Sequence, residues 1–231
     1  MTENEDEYTS RLVKLVLIGD GTSGKTSLAY RYVNDTFSKP YSQTLGIDCL
    51  LKRTILSSNV HVTAQIWHIG GQSIGGGMLD KYLYNADGVI LVYDVTNLES
   101  FENLMDWKEQ VLQLIRLRSD AKFPHFVLVG NKIDLEHLRV VRGQRQEAFA
   151  KKQGMSSYFV SAKTGEGVTM CFKKVIADIL GIKLTVKDHD YQYTIVKAEI
   201  VKEKKKCTEN STVQSVARPK SPEKSSFCVV Q

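Results

Sequence analysis

The residues best suited to chemistry in this chain are Gly19-Asp20-Gly21-Thr22-Ser23-Gly24-Lys25-Thr26, a G-x-x-x-x-G-K-[ST] loop. Average composition makes a chance match in a chain of this length roughly one in a hundred. The context of the loop argues for more than chance. An apolar run, Lys14–Ile18, enters it and a helix-forming segment follows Lys25. Backbone N–H groups in such a loop, with the N-terminus of the helix, form a nest for anionic phosphate. Gly21, Thr22, Ser23, Gly24 and Ser27 are expected to line that nest. Lys25 is expected to reach the β- and γ-phosphates, and the Thr26 hydroxyl to ligate Mg²⁺.

A phosphate loop does not name a base. Asn131-Lys132-Ile133-Asp134 directly follows the apolar run Phe126–Gly130. A carboxylate placed there can accept from N1–H and the exocyclic amine of guanine, and adenine lacks that donor pair. Asp134 is the expected reader, Asn131 a tie between loops, and the Lys132 stem a surface for the base. Ser161-Ala162-Lys163 follows the last apolar run and offers a backbone N–H to the guanine carbonyl. This order disfavours an ATP-using enzyme.

Alternating strands and amphipathic helices must hold these loops. Strands are expected at Leu12–Ile18, Ile47–Leu56, Val60–Trp67, Gly88–Tyr93, Phe126–Val129 and Tyr158–Val160. Helices are expected at Lys25–Asn34, Ser100–Arg116, Arg142–Gln153 and Gly167–Leu180. Val89-Ile90-Leu91-Val92 is continuously apolar, as a strand covered on both faces should be. Ser57-Ser58-Asn59 is a turn signal that makes its flanking strands a hairpin. The pattern predicts an α/β domain with a mostly parallel sheet and helices on both faces.

The composition agrees. The chain has 231 residues, 42% hydrophobic and 25% charged, enough apolar content for a packed core. No apolar run approaches the roughly 18 residues of a spanning helix. Residues 1–10 carry four acids and no base, unlike a secretory signal. They read as an acidic extension before a domain at 11–184. The four cysteines include no CxxC pair, which argues against a zinc knuckle or a disulfide framework. The chain reads as cytosolic. From residue 185 the periodicity fades, and nine Lys/Arg stand against six Asp/Glu. Residues 185–231 read as a flexible tail rather than a second domain. It ends in Cys228-Val229-Val230-Gln231, a C-a-a-X signal for a prenyl group on Cys228, with Gln favouring farnesyl. One lipid holds a membrane weakly, and Lys204–Lys206 would supply a second, electrostatic attraction. No aromatic residues interleave that cluster, so nucleic acid is not an expected partner. Cys207 reads as a plain tail thiol.

Taken together, these motifs resemble the small GTPases of the Ras superfamily over about residues 12–184. Trp67-x-Ile69-Gly70-Gly71-Gln72, Val92-Tyr93-Asp94-Val95-Thr96 and Ser161-Ala162-Lys163-Thr164-Gly165 are similar to the Rab branch. Gly70, the Ile74–Met78 region and the CaaX ending resemble an atypical member of it. The resemblance implies a P-loop GTPase fold, a six-stranded sheet with five helices. It implies a switch between GDP and GTP forms that hydrolyses GTP with Mg²⁺. Position by position, Thr44 would ligate Mg²⁺, Phe37 would pack on guanine, Gly71 would donate to the γ-phosphate, and Gln72 would orient the attacking water. No residue reads as an arginine finger in cis, so slow turnover raised by a partner is expected. Exchange factors, GTPase-activating proteins, GTP-dependent effectors, a prenyltransferase and a prenyl-binding chaperone are the implied partners. The implied location is the cytoplasmic side of membranes, with a cytosolic pool and a prenylated, methylated tail. Vesicle or ciliary-base trafficking is the implied setting.

His68 departs from that pattern, standing where the family has the Asp of D-x-x-G. Mg²⁺ favours oxygen and keeps its waters. His68 either weakens the metal site or, as a neutral imidazole, makes one hydrogen bond to a metal-bound water. In the first case the chain would be a nucleotide-binding adaptor with impaired cycling. Cys49 replaces a Phe that, with Trp67 and Tyr82, would face effectors. Gly75-Gly76-Gly77 raises the entropic cost of ordering its segment. His61, His125 and His137 read as surface or satisfied histidines. Trp107 reads as helix packing, and Asp94 as a turn or cap residue.

Overall fold

The protein is described here by a computed structural model covering residues 10–37, 47–56, 59–70, 79–118 and 122–185. Six strands form one sheet in the order β2-β3-β1-β4-β5-β6. They are β1 Arg11–Ile18, β2 Ile47–Leu56, β3 Val60–Ile69, β4 Gly88–Asp94, β5 His125–Asn131 and β6 Ser156–Phe159. β2 pairs antiparallel with β3, and every other pairing is parallel. The expected hairpin is present, and Asn59 enters β3 with φ +59°. Ser57 and Ser58 lie outside the described residues.

Why β4 sits at the centre follows from its residues. All seven are buried. Successive side chains of a strand point to opposite faces, so the apolar run Val89–Val92 suits a strand covered on both sides. Ile90 and Val92 enter one core with Leu28, Ala29 and Tyr32 and with Phe172, Val175 and Ile176. Val89 and Leu91 enter the other with Leu104, Trp107, Val111 and Ala150. The first layer is helix α1 (Lys25–Asn34) and the last helix, α6 (Val168–Leu180). The second is α2 (Leu79–Leu83), α3 (Leu98–Glu102), α4 (Leu104–Arg116) and α5 (Gly143–Gln153). Buried Val168, Cys171, Phe172, Val175 and Ile176 follow the spacing of one helix face. Each large side chain so buried contributes about 1.5–3 kcal/mol of transfer free energy.

Two expectations are corrected. The helix expected at Ser100–Arg116 is two, α3 and α4, broken at Asn103. With it, the described residues hold six α-helices rather than five, plus a 3₁₀ turn at Ile133–Leu138. The Asn103 side chain turns away to donate to Asp20 Oδ2 at 2.7 Å. α2 and the 3₁₀ turn carry too little periodic sequence to be read in advance.

The sheet order makes β1 the point where the chain switches direction across the sheet. In open α/β sheets ligands bind beyond the carboxyl ends of strands at such a point. The loops after β1, β5 and β6 all emerge there, and they carry the motifs. The chain divides into two units, Met1–Thr194 and Ile195–Gln231, and every described residue lies in the first. No helix among the described residues is long and apolar enough to cross a membrane.

Candidate functional site

The loop after β1 closes on itself through Lys25. Its Nζ donates to Gly19 O at 2.8 Å and Asp20 O at 2.7 Å. Lys25 as a whole is only 6% exposed. Burial pulls the ammonium pKa down to about 8, against the attraction of Asp20. Gly24 caps α1 at φ +89°, and α1 begins with no side-chain cap and no acidic residue in its first turn. Its leading N–H groups, with the positive end of the helix dipole, therefore face the loop. A Cβ at Gly24 would collide with Asn131 Nδ2. Thr22 is left-handed at φ +63° and exposed. Gly21 and Ser27 are half-buried beside it. Ser23 Oγ is buried and has no hydrogen-bond partner among the described residues.

Asn131, at the end of β5, ties three loops together. Its Nδ2 donates to Ser23 O at 3.0 Å, and its Oδ1 accepts from Ala162 N at 3.1 Å. Ser161 Oγ donates to Asp134 Oδ1 at 2.7 Å, and Lys163 Nζ lies 3.5 Å from Asp134 Oδ2. Lys132 is left-handed at φ +70°, and its Nζ donates to Asp94 Oδ2 at 2.6 Å. Asp94 Oδ1 accepts from the N–H and hydroxyl of Thr96, the turn role expected of it. Ser161 N and Ala162 N are engaged by Glu166 O and Asn131 Oδ1.

At the other end of the loop, His68 is 1% exposed. Its Nδ1 lies 3.3 Å from Thr26 Oγ1. Its Nε2 lies 3.5 Å from Asp48 Oδ2, the residue opposite it in the β2–β3 register. Burial holds the imidazole pKa below its usual value although Asp48 pulls the other way.

On the opposite face of the same strands Cys49 pairs with Trp67. The Trp67 and Tyr82 rings are 6.0 Å apart. The structure thus brings the three expected effector-facing positions together. Phe37 is half-buried three residues beyond α1. Thr44, Gly71, Gln72, the glycines 75–77, Cys207, Cys228 and the basic cluster lie outside the described residues.

Three residues were not legible as site components. Trp107 is packed as expected, and its Nε1 also donates to Asp20 Oδ1 at 2.7 Å. Asn103 holds the other oxygen of the same carboxylate. Arg31, on α1, donates to Ala162 O at 2.9 Å and Lys163 O at 2.8 Å. None belongs to a spaced motif, so only the fold could reveal them.

The arrangement fits a phosphate-bearing ligand: a buried ammonium, an uncapped helix start and an orphaned buried hydroxyl converge on one loop. It fits a hard cation less completely. Thr26 supplies one oxygen, but His68 presents nitrogen where an oxygen would suit the ion better.

Comparison with known proteins agrees. The Ras family matches residues 14–181. The chain is 41% identical over 201 residues to the Ras-related protein Rab-28 of Caenorhabditis elegans, spanning 87% of this chain and 80% of that protein. It is 36% identical over 171 residues to the Ypt/Rab-type GTPase YPT7 of Saccharomyces cerevisiae, 73% and 82% of the two chains. It is 37% identical over 172 residues to the Ras-related protein Rab7 of Drosophila melanogaster, 74% and 82%.

Proposed function

Because the chain belongs to the Ras family, a GTPase that binds GTP or GDP with Mg²⁺, we propose that it is a lipid-anchored trafficking switch whose phosphate loop and base-reading loops divide the nucleotide between them. The observation that carries this reading is Asn131, whose amide holds Ser23 O and Ala162 N at once. That amide sets the loop for phosphate and the two loops for guanine on one ridge.

Each residue then has a task. The backbone from Gly21 to Thr26 and the start of α1 cradle phosphate, with Ser23 and Ser27 among the donors. Lys25 leaves the carbonyls of Gly19 and Asp20 to neutralise β- and γ-phosphate oxygens. Asp134 accepts from guanine, held by Ser161 and faced by Lys163. Lys132, steadied by Asp94, offers its stem to the base. Phe37 packs beside the base. Thr26 and Thr44 would hold Mg²⁺, which would supply positive charge to neutralise the charge developing on the phosphates. Gly71 donates to the γ-phosphate and Gln72 orients water, roles that rest on the resemblance. Positioning and charge do most of the catalysis in phosphoryl transfer. Unaided hydrolysis is slow, and a GTPase-activating protein raises it. Exchange factors load GTP, and effectors meet the face of Cys49, Trp67 and Tyr82.

Residues 11–184 form the switch, after an acidic extension at 1–10, and 185–231 form the tether. Prenylation of Cys228 by a prenyltransferase, with Lys204–Lys206, seats the chain on an anionic membrane. A prenyl-binding chaperone maintains a cytosolic pool. Vesicle or ciliary membranes are the site of action. The test is fractionation of cells expressing the full chain. Native protein is expected with membranes and Cys228→Ser in the cytosol. Equal membrane fractions for the two would overturn the anchor.

A further inference from the structure

The described site holds no carboxylate on β3 beside Thr26, yet it holds one across the sheet. In an antiparallel pair, directly opposed side chains share a face. Asp48 and His68 are such a pair, and their face is the one that α1 covers. Asp48 is fixed twice on that face. Its Oδ2 accepts from the Tyr30 hydroxyl at 3.1 Å, and its Oδ1 accepts from Cys49 N at 2.9 Å. Its Oδ2 also lies 3.5 Å from His68 Nε2, long for a hydrogen bond. That nitrogen is buried and has no well-aligned partner among the described residues. The charged groups facing the ring are Asp48 and Lys25, with Tyr30 and Thr26 beside it.

We propose that Asp48 is a positioning residue for the metal end of the site, acting through His68. Its carboxylate draws the imidazole proton to Nε2 and leaves Nδ1 as a bare acceptor beside Thr26. The two ring nitrogens are not equivalent, and the group bonded to one sets what the other can do. A bare Nδ1 can accept from a hydroxyl or from a water held by a cation. It thereby recovers the acceptor function that an aspartate at 68 would supply. The carboxylate that makes this work stands one strand further out, at Asp48 on β2, and Tyr30 steadies it. No bond is made or broken.

This inference rests on the proposed nucleotide and Mg²⁺ reading and adds Asp48 to it. The test uses the full chain loaded with GDP. The first readout is the ¹H–¹⁵N spectrum of the His68 ring, which reports its tautomer directly. Native protein should show Nε2 protonated and Nδ1 bare. Asp48→Asn should lose that preference. The second readout is GDP release across a Mg²⁺ titration. Asp48→Asn should raise the Mg²⁺ concentration for half-maximal retention by about tenfold, the scale of one charge-assisted hydrogen bond. In a His68→Asp background the same substitution should change it less than twofold, because the imidazole it acts on is gone. Tyr30→Phe should shift the midpoint in the same direction as Asp48→Asn, by less. Asp48 is on an edge strand with a half-exposed side chain, so its variants are expected to fold. Tyr30→Phe provides an independent approach if they do not. An Nδ1–H tautomer in native protein would overturn the proposal. So would an equal effect of Asp48→Asn in the two backgrounds. Native GDP release independent of Mg²⁺ would overturn both this inference and the metal reading beneath it. A Mg²⁺-dependent native protein with an indifferent Asp48→Asn would overturn this inference alone.

Discussion

The indole N–H of Trp107 donates to Asp20 Oδ1 at 2.7 Å, joining α4 to the phosphate loop across 87 residues of sequence. Asn103 takes the other carboxylate oxygen, so Asp20 is clamped from one helix end. Trp107 is also fully buried in the second core. Trp107→Phe keeps much of that packing and removes the donor. Hydrogen bonds to charged groups contribute about 1.5–3 kcal/mol, and a loss of that size is expected in chemical denaturation at saturating GDP. GDP release should also accelerate, because the loop loses one of its anchors. An unchanged denaturation midpoint and an unchanged release rate would show that the clamp is ornamental.

Gly24 is constrained twice. Its φ of +89° is poorly tolerated by side chains, and a Cβ there would strike Asn131 Nδ2. Gly24→Ala should therefore break the bond from Asn131 to Ser23 O and spread the three loops. Expected is a protein purified largely without nucleotide, with the left-handed strain adding about 1–2 kcal/mol of instability. Isothermal titration with GDP checks it. Native affinity in this variant would mean that the loops move independently.

Asp134 faces Ser161 and Lys163 with its carboxylate, and its proposed task is to accept from paired guanine donors. Asp134→Asn replaces an acceptor oxygen with a donor. Affinity for GDP should fall and affinity for xanthosine diphosphate should rise, since xanthine offers a carbonyl where guanine has an amine. Competition against a fluorescent nucleotide measures both. A variant that still prefers GDP would remove Asp134 from base reading.

The thiols differ in a way that pH exposes. Cys171 is 1% exposed, and burial pushes its thiol up to about 12. Cys49 is half-buried on the outer face of β2, its pKa raised above the usual value by burial and by Asp48. Thiolate is the reactive form, so a raised pKa means less of it at a given pH. At pH 8.5 iodoacetamide should label Cys49 much faster than Cys171, with Cys171 labelled only after unfolding. Peptide mass spectrometry resolves the two. Equal rates in native protein would contradict the packing of α6.

Much of this molecule was legible before its fold was known, for identifiable reasons. Ile47–Leu56 and Lys25–Asn34 begin and end as expected, because turn residues and the phosphate loop bound them sharply. Asn131 was expected to tie loops, and it does. The break at Asn103 was hidden because helical periodicity runs through it. Arg31, Asn103 and Trp107 contribute by reaching carbonyls and a carboxylate far away in sequence, and no local spacing encodes that. His68 was legible as an anomaly, but not its pairing. Asp48 lies 20 positions away, and only the antiparallel register sets the two side by side.

The central claim is that these loops form a guanine-nucleotide site that depends on Mg²⁺. The most direct measurement is to purify the full chain in Mg²⁺, release what it carries, and identify it by chromatography. Close to one GDP or GTP per chain is expected, escaping faster once the metal is chelated. An adenine nucleotide, or a chain that is empty and takes up GDP no better than ADP, would contradict the account.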